Sequence, residues 1–262
     1  MSGSGTFEDR TRAESFGAVA ELYDRARPSY PPALIDALMA DRPRTALDVG
    51  CGTGKAGALL LARGCEVLGV EVDARMAELA RAKGLEVDVA RFELWDPGER
   101  RFDLLISAQA WHWIEPRAGA VRAAAALREG GGIALFWNRG DPPEDVRERL
   151  DPIFDRLAPG LGSETAALER RGMVVHETLA GLESAGAFGS PAVTAFPWRR
   201  LCTTESWLEL ISTHSGYRTL EPQRRGRLLA ALGEEVDALG GSFEMRYETV
   251  LVSARRVAAE LA

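Results

Sequence analysis

Cysteine is scarce in this 262-residue chain, with Cys51, Cys65 and Cys202 the only three. An odd, thinly spread set argues against a disulfide framework and for a reducing compartment, so a cytoplasmic location is the expectation. No Cys-x-x-Cys or His-x-x-x-His spacing occurs, and no metal site is expected. No apolar run approaches the ~20 residues that a bilayer span needs. The first six residues, Met1 to Thr6, are polar and lack the apolar stretch of an export signal, so no membrane partner is expected. Positive charge is not in excess either: 32 Lys and Arg against 39 Asp and Glu leave −7. That balance disfavours nucleic acid as the main partner, because its binders usually present a basic surface. What the chain does have is apolar bulk. At 46% hydrophobic residues it can bury the core of one large domain, or of a domain with a small accessory piece.

The most informative stretch is Ala46-Leu47-Asp48-Val49-Gly50-Cys51-Gly52-Thr53-Gly54-Lys55. An apolar run ends in an acid, glycines alternate with other residues, and a helix-forming run follows, which reads as strand, tight turn and helix. Alternate glycines let the chain turn sharply and let a ligand approach the main chain with no Cβ in the way. The turn opens onto a helix N-terminus, whose free N–H groups favour a negatively charged ligand group. A phosphate-binding P-loop is excluded, because Ala56 follows Gly54-Lys55 and Val49 stands where its first glycine belongs. The dinucleotide fingerprint wants its third glycine three residues after the second, whereas Gly54 comes two after Gly52. Further on, Cys65 to Val70 reads as the next buried strand, and Glu71 stands at its tip with Asp73 beyond. An acid ~20 residues past such a turn is placed to accept both ribose hydroxyls of a nucleoside.

Elsewhere residues 1–14 read as disordered and Ser15 to Ala26 as a helix, with a second helix from Pro32 through Met39. Strands are expected at about 45–49, 66–70, 86–90, 102–107 and 133–137, with helices between them; the apolar strand runs imply a parallel sheet covered on both faces. Ligands then bind beyond the carboxyl ends of the strands, where the strand order switches. Later helices are expected over 145–157, 177–185, 204–214 and 221–238, and strands over 192–198 and 247–253. Thr203 to Ser206 supply hydroxyls to cap a helix, and the Gly-rich stretch 159–173 is ambiguous.

The pattern Asp-x-Gly-x-Gly-x-Gly, with Glu71 downstream, resembles motif I of the class I S-adenosylmethionine (SAM)-dependent methyltransferases. The strand–helix plan resembles that family's seven-stranded α/β fold across nearly the whole chain. The phrases Tyr23 to Pro31, Ala110 to Trp113, Phe136 to Arg139 and Tyr247 to Thr249 are similar to a small-molecule subgroup that includes trans-aconitate methyltransferases among its distant members. The resemblance implies a Rossmann-like seven-stranded sheet with helices on both faces. It divides the chain into an N-terminal helical cap (1–44), a SAM-binding core (45–202), a helical lid insertion (203–240) and a final strand completing the sheet (241–262). It implies SAM as cofactor, S-adenosylhomocysteine (SAH) as product and a small organic acceptor methylated at O, N or C, as in secondary metabolism. For the cofactor it points to Tyr23, Asp48, Gly50, Cys51, Gly52, Glu71, Val72, Met76, Phe92, Glu93, Ser107 and Gln109. Where many members carry an Asp-Ala pair this chain has Arg91-Phe92, and Glu93 is the substitute for the adenine contact.

His112 is the catalytic candidate, as a general base after the fourth strand, because its ordinary pKa suits that work near neutral pH. The competing reading has it bonding the loop, with Trp111 and Trp113 as wall or core. His214, with Ser215, Tyr217 and Arg218, is a candidate to touch substrate, and Arg139, Arg199, Arg200 and Arg218 to bind a carboxylate. A SAM-dependent enzyme of RNA or protein, a non-methylating protein of this fold and, more distantly, a nicotinamide dehydrogenase remain as alternatives.

Overall fold

The structure is a computed structural model that describes residues 19–159, 161 and 164–258, with backbone alone for 164–172. The expected disorder of residues 1–14 and the start of the first expected helix lie outside the described residues. Seven strands form one sheet: β1 (Thr45–Val49), β2 (Glu66–Glu71), β3 (Glu86–Val89), β4 (Phe102–Ala108), β5 (Leu127–Asp141), β6 (Ala192–Thr203) and β7 (Ser242–Arg255). Their spatial order is β3-β2-β1-β4-β5-β7-β6. The first five pair in parallel, and β7 inserts antiparallel between β5 and β6. The order reverses between β1 and β4, which opens the crevice at their carboxyl ends.

The alternation of side chains along each strand explains the unbroken apolar runs. Leu47, Val49, Leu105, Ile133 and Leu135 face one core; Ala46, Leu104, Ile106, Ala134 and Phe136 face the other. The first core is covered by α5 (Pro116–Ala126) and α7 (Glu164–Ala185), through Ala120, Ala123 and Leu182. Over the second lie α2 (Pro32–Leu38), α3 (Lys55–Leu61) and α4 (Ala74–Ala82), through Leu34, Leu60 and Ala77. A third cluster sits at the far end of the sheet. There α6 (Glu144–Leu157), α8 (Thr204–Ser212), α9 (Ser215–Arg218) and α10 (Pro222–Ala238) pack Phe154, Trp207, Tyr217 and Leu232 against Phe243, Met245 and Tyr247 of β7. Among the described residues no helix is long and apolar enough to cross a membrane.

Several boundaries differ from expectation, for physical reasons. β5 runs far beyond 133–137: it starts at Leu127 beside Phe102, shifts register past Gly130, and continues to Asp141 because β7 pairs with it as far as Arg246. The long antiparallel partner also draws β7 out to both sides of 247–253. The ambiguous stretch enters one long helix, α7, whose backbone continues through Gly172. The hydroxyl cap is present as a reciprocal pair, with Thr203 and Ser206 each accepting from the other's backbone N–H.

Candidate active site

The site begins where β1 runs out. Gly50, Gly52 and Gly54 have φ of +64°, +55° and +78°, in the left-handed region that L side chains avoid. A Cβ at Gly50 would lie 2.5 Å from the Cβ of Ala110, so the turn can close on the β4 loop only with glycine there. The turn is held from both sides. Gly50 N–H donates to the Val70 carbonyl at 2.8 Å, and Gly54 N–H to the Cys51 carbonyl at 2.8 Å.

Glu71, at the tip of β2, ties that turn to its own loop. Its Oε2 accepts from Gly52 N–H at 2.8 Å, and its Oε1 accepts from Val72 and Asp73 N–H at 3.0 Å each. Burial raises the Glu71 pKa, and the three N–H donors offset part of that rise. Asp48 lies inside, with Oδ2 accepting from Gly57 N–H at 3.0 Å and Oδ1 without a partner among the described residues. Burial, opposed by the Gly57 bond and aided by the Glu71 charge, pushes its pKa up to about 7.

A cavity of about 380 Å³ opens above these tips. Its lining includes Gly50, Gly52, Glu71, Val72, Met76, Phe92 and Glu93 from the β1 to β3 side, and His112, Trp113, Asn138, Trp207, His214, Ser215, Met245 and Tyr247 from the β4 and β5 side, the later helices and β7. Tyr23 and Arg27 of the N-terminal segment line it too, and that segment is pinned to its surroundings. α1 (Ala20–Ala26) carries Asp24, whose carboxylate accepts from Thr53 Oγ1 at 2.6 Å and from Lys83 Nζ. The Arg27 guanidinium donates to the Thr213 carbonyl at 3.2 Å and lies over the Tyr23 ring, 5.1 Å from its centroid.

His112 sits in a single turn of 3₁₀ helix, Trp111–Trp113, after β4. Its Nδ1 accepts from Trp137 Nε1–H at 3.3 Å. An indole N–H can only donate, so the neutral imidazole carries its proton on Nε2. Burial and the nearby Arg27 charge lower the His112 pKa to about 4. This geometry presents a donor, where the sequence suggested a base.

Of the residues singled out in the sequence, Tyr23, Gly50, Gly52, Glu71, Val72, Met76, Phe92, Glu93, Gln109 and His112 line the cavity. Gln109 does so with φ of +60°, a strained backbone beside the glycine turn. Three expected cofactor contacts are elsewhere. Ser107 is fully buried and its hydroxyl donates to the Val49 carbonyl at 2.8 Å, so it ties β4 to β1. Asp48 braces the turn against α3 from inside. Cys51 is buried and reaches only a small recess under the turn, lined also by Thr53 and Lys55. Trp111 belongs to the core, packed near Phe92, while Trp113 lines the cavity. The four arginines proposed for a carboxylate do not line the cavity: Arg139 pairs with Glu248 at 3.7 Å, Arg199 with Glu244 at 2.7 Å, and Arg200 donates to the Ala26 carbonyl at 3.2 Å. Arg27, not singled out in the sequence although it lies within the phrase Tyr23 to Pro31, does line it. No group of His, Cys, Asp or Glu among the described residues could hold a metal ion.

Comparison with known proteins identifies the family and the fold. Residues 46–131 match the family described as "Methyltransferase domain". An uncharacterised methyltransferase of Mycobacterium tuberculosis is 35% identical over 163 residues, covering 58% of this chain and 67% of that protein. A trans-aconitate 2-methyltransferase of Methylobacterium radiotolerans is 32% identical over 114 residues, 42% of this chain and 43% of that protein. Among solved structures, a methyltransferase from Anaeromyxobacter dehalogenans superposes with a TM-score of 0.60 at 23% identity, over 88% of this chain and 98% of that one.

Proposed function

Because the chain belongs to the SAM-dependent methyltransferase family, we propose that it moves the methyl group of SAM to a small organic acceptor held in the same cavity. The observation that carries this reading is the polarity of the cavity. The glycine turn and Glu71 furnish one side, and an aromatic wall with His112 and Asn138 furnishes the other. The residues fit a nucleoside with an amino-acid tail. Glu71 retains one acceptor site for a ribose hydroxyl beyond its three backbone bonds, since a carboxylate offers about four lone-pair sites. The turn offers main chain with no Cβ in the way. Met76 and Phe92 would flank the adenine with apolar surface, and Glu93 would meet its edge.

When bound, SAM supplies a methyl already activated by its sulfonium; the C–S bond breaks with its electron pair going to sulfur, and the acceptor's lone pair forms the new bond. The chain's task is therefore to align and to exclude water. Alignment can account for about 7–11 kcal/mol of a barrier. Trp113, Trp207, Met245 and Tyr247 make the acceptor end apolar, and α8 to α10 act as the lid over it, in a unit between β6 and β7 that α6 supports. A small acceptor, as opposed to a nucleic acid, is consistent with the net charge of −7.

The direct test is turnover. Purified protein with radiolabelled SAM and fractionated small-molecule extract transfers label to an extractable product and releases SAH. Label appearing only in added RNA or protein would favour the macromolecular reading. Absence of transfer to any fraction, by protein that binds SAH, would favour a non-methylating role.

A further inference from the structure

A polar chain crosses the sheet from its edge strand to the cavity, and the methyl-transfer reading leaves it unused. Trp198 on β6 donates its indole Nε1–H to Thr249 Oγ1 on β7 at 2.9 Å, and the Thr249 hydroxyl donates to Asn138 Oδ1 on β5 at 2.7 Å. Asn138, which lines the cavity, donates from Nδ2 to the Ser29 carbonyl at 3.0 Å. The two ends fix every direction in between, because an indole N–H can only donate and a backbone carbonyl can only accept. The amide nitrogen must face Ser29, so its oxygen faces Thr249, whose hydroxyl accepts from Trp198 and passes its own hydrogen on. The reversed amide would set two carbonyl oxygens against each other at Ser29.

The strand register builds this chain. Thr249 stands opposite Asn138 in the β5–β7 ladder, and Trp198 stands opposite Tyr247, two residues along on the same face, with the two rings stacked at 4.3 Å. Thr249 is fully buried and does not line the cavity, so it reaches the site through Asn138. The far end of the chain meets the segment joining α1 to α2. Tyr30 sets its ring edge-on to Phe136, with centroids 4.9 Å apart, and Arg200 holds the Ala26 carbonyl, so β5 and β6 tie this segment at three points. Within it Arg27 and Pro28 line both the cavity and the recess under the glycine turn, together with Gly50 and Gly52. That recess is where the methyltransferase reading puts the amino-acid end of the cofactor.

We propose that Asn138 and Thr249 are positioning residues for the cofactor: Thr249 orients the Asn138 amide, and the amide holds the Arg27-Pro28-Ser29 step in place as a wall of the amino-acid end. The proposal rests on the methyltransferase reading and deepens it. Its selectivity follows from where the groups stand. The held step lines the recess at the turn, whereas Glu71, Met76 and Phe92, assigned to ribose and adenine, come from β2, α4 and the turn after β3. Releasing the step therefore loosens the hold on the amino-acid tail and leaves the nucleoside contacts as they are.

The test is calorimetric, with SAH and 5′-methylthioadenosine, which lacks the amino-acid end, as probes. Asn138→Ala and Thr249→Val are each expected to lower SAH affinity about three- to ten-fold, the scale of one neutral hydrogen bond, with 5′-methylthioadenosine held within about two-fold of wild type. Thr249→Ser, which keeps the hydroxyl, restores SAH affinity. Because Thr249 acts through Asn138, the double variant is expected to bind SAH as Asn138→Ala alone does. Retained 5′-methylthioadenosine binding also shows that a variant is folded; should Thr249→Val not fold, Asn138→Ala against wild type decides the matter. Three results overturn the proposal: SAH affinity unchanged in either single variant, a loss that falls on both ligands alike, or losses that add in the double variant. Wild type that binds neither ligand strikes the methyltransferase reading itself.

Discussion

The Thr53 hydroxyl donates to the Asp24 carboxylate across 2.6 Å, joining the N-terminal helix to the glycine turn. Lys83, at the end of α4, donates to the same carboxylate and to the Thr53 carbonyl, the latter at 2.8 Å. Burial alone would raise the Asp24 pKa, but the Lys83 and Thr53 bonds outweigh it and hold the carboxyl below its ordinary value. A depressed pKa in the folded state means stability that is complete above the unfolded pKa and lost as pH falls through the folded one. Asp24→Asn should therefore lower the unfolding free energy at neutral pH by about 1–2 kcal/mol. The gap to wild type should close below the ordinary aspartate range, ~3.9. Urea titrations at several pH values check this.

Gly50→Ala places a Cβ 2.5 Å from that of Ala110, at a φ of +64°. Left-handed strain costs about 1–2 kcal/mol and overpacking about 1–3 kcal/mol more. A lower melting temperature and a loss of SAM affinity are expected together, because relief of the clash must move either the turn or the β4 loop. Calorimetry and thermal denaturation on one preparation read both.

Asp48 contributes the opposite pH dependence to Asp24. Its folded pKa, up to about 7, exceeds the unfolded value. Between those values the unfolded chain has released the proton that the folded one keeps, so stability falls as pH rises through that window. Asp48→Asn has no proton to lose there. The variant's stability relative to wild type should rise between about pH 4 and pH 7 and level off above. A flat difference across that range would place the charge of Asp48 elsewhere in the balance.

His112 should leave no mark on activity near neutrality. With a pKa of about 4 and Nδ1 occupied by Trp137, the ring is neutral and donating throughout the working range. A donor-preserving change, His112→Gln, should keep methyl transfer within about ten-fold of wild type, with a parallel pH profile of kcat/KM between about 6 and 8. An inflection near ~6.5 that vanishes in the variant would restore the general-base assignment.

The glycine turn and Glu71 were legible because their chemistry is local: one strand tip, one turn, and an acid on the neighbouring strand at a fixed offset. Even there the pleat decided details that position could not. Ser107 and Ala108 are adjacent at the tip of β4, but the serine hydroxyl turns in to Val49 while Ala108 lines the cavity. The acceptor end was mostly illegible. Met245 reaches it only because β7 runs antiparallel beside β5, and Trp207 only because α8 packs on β7 through Phe243. Arg27 depends on a helix clamped by Thr53, Lys83 and Thr213 from three distant parts of the chain. The tautomer of His112 was not legible, since it is set by Trp137, 25 residues away on the next strand.

The central claim is tested most directly by titrating SAH into wild type and Glu71→Ala in a calorimeter, with NADH as control. Removing a charged acceptor from a ribose hydroxyl forfeits about 1.5–3 kcal/mol. Wild type is expected to bind SAH in the micromolar range, with affinity reduced about ten-fold or more in the variant and no heat from NADH. Equal SAH affinity in both proteins, or binding of NADH in its place, would contradict the assignment of the β2 tip to the cofactor's ribose.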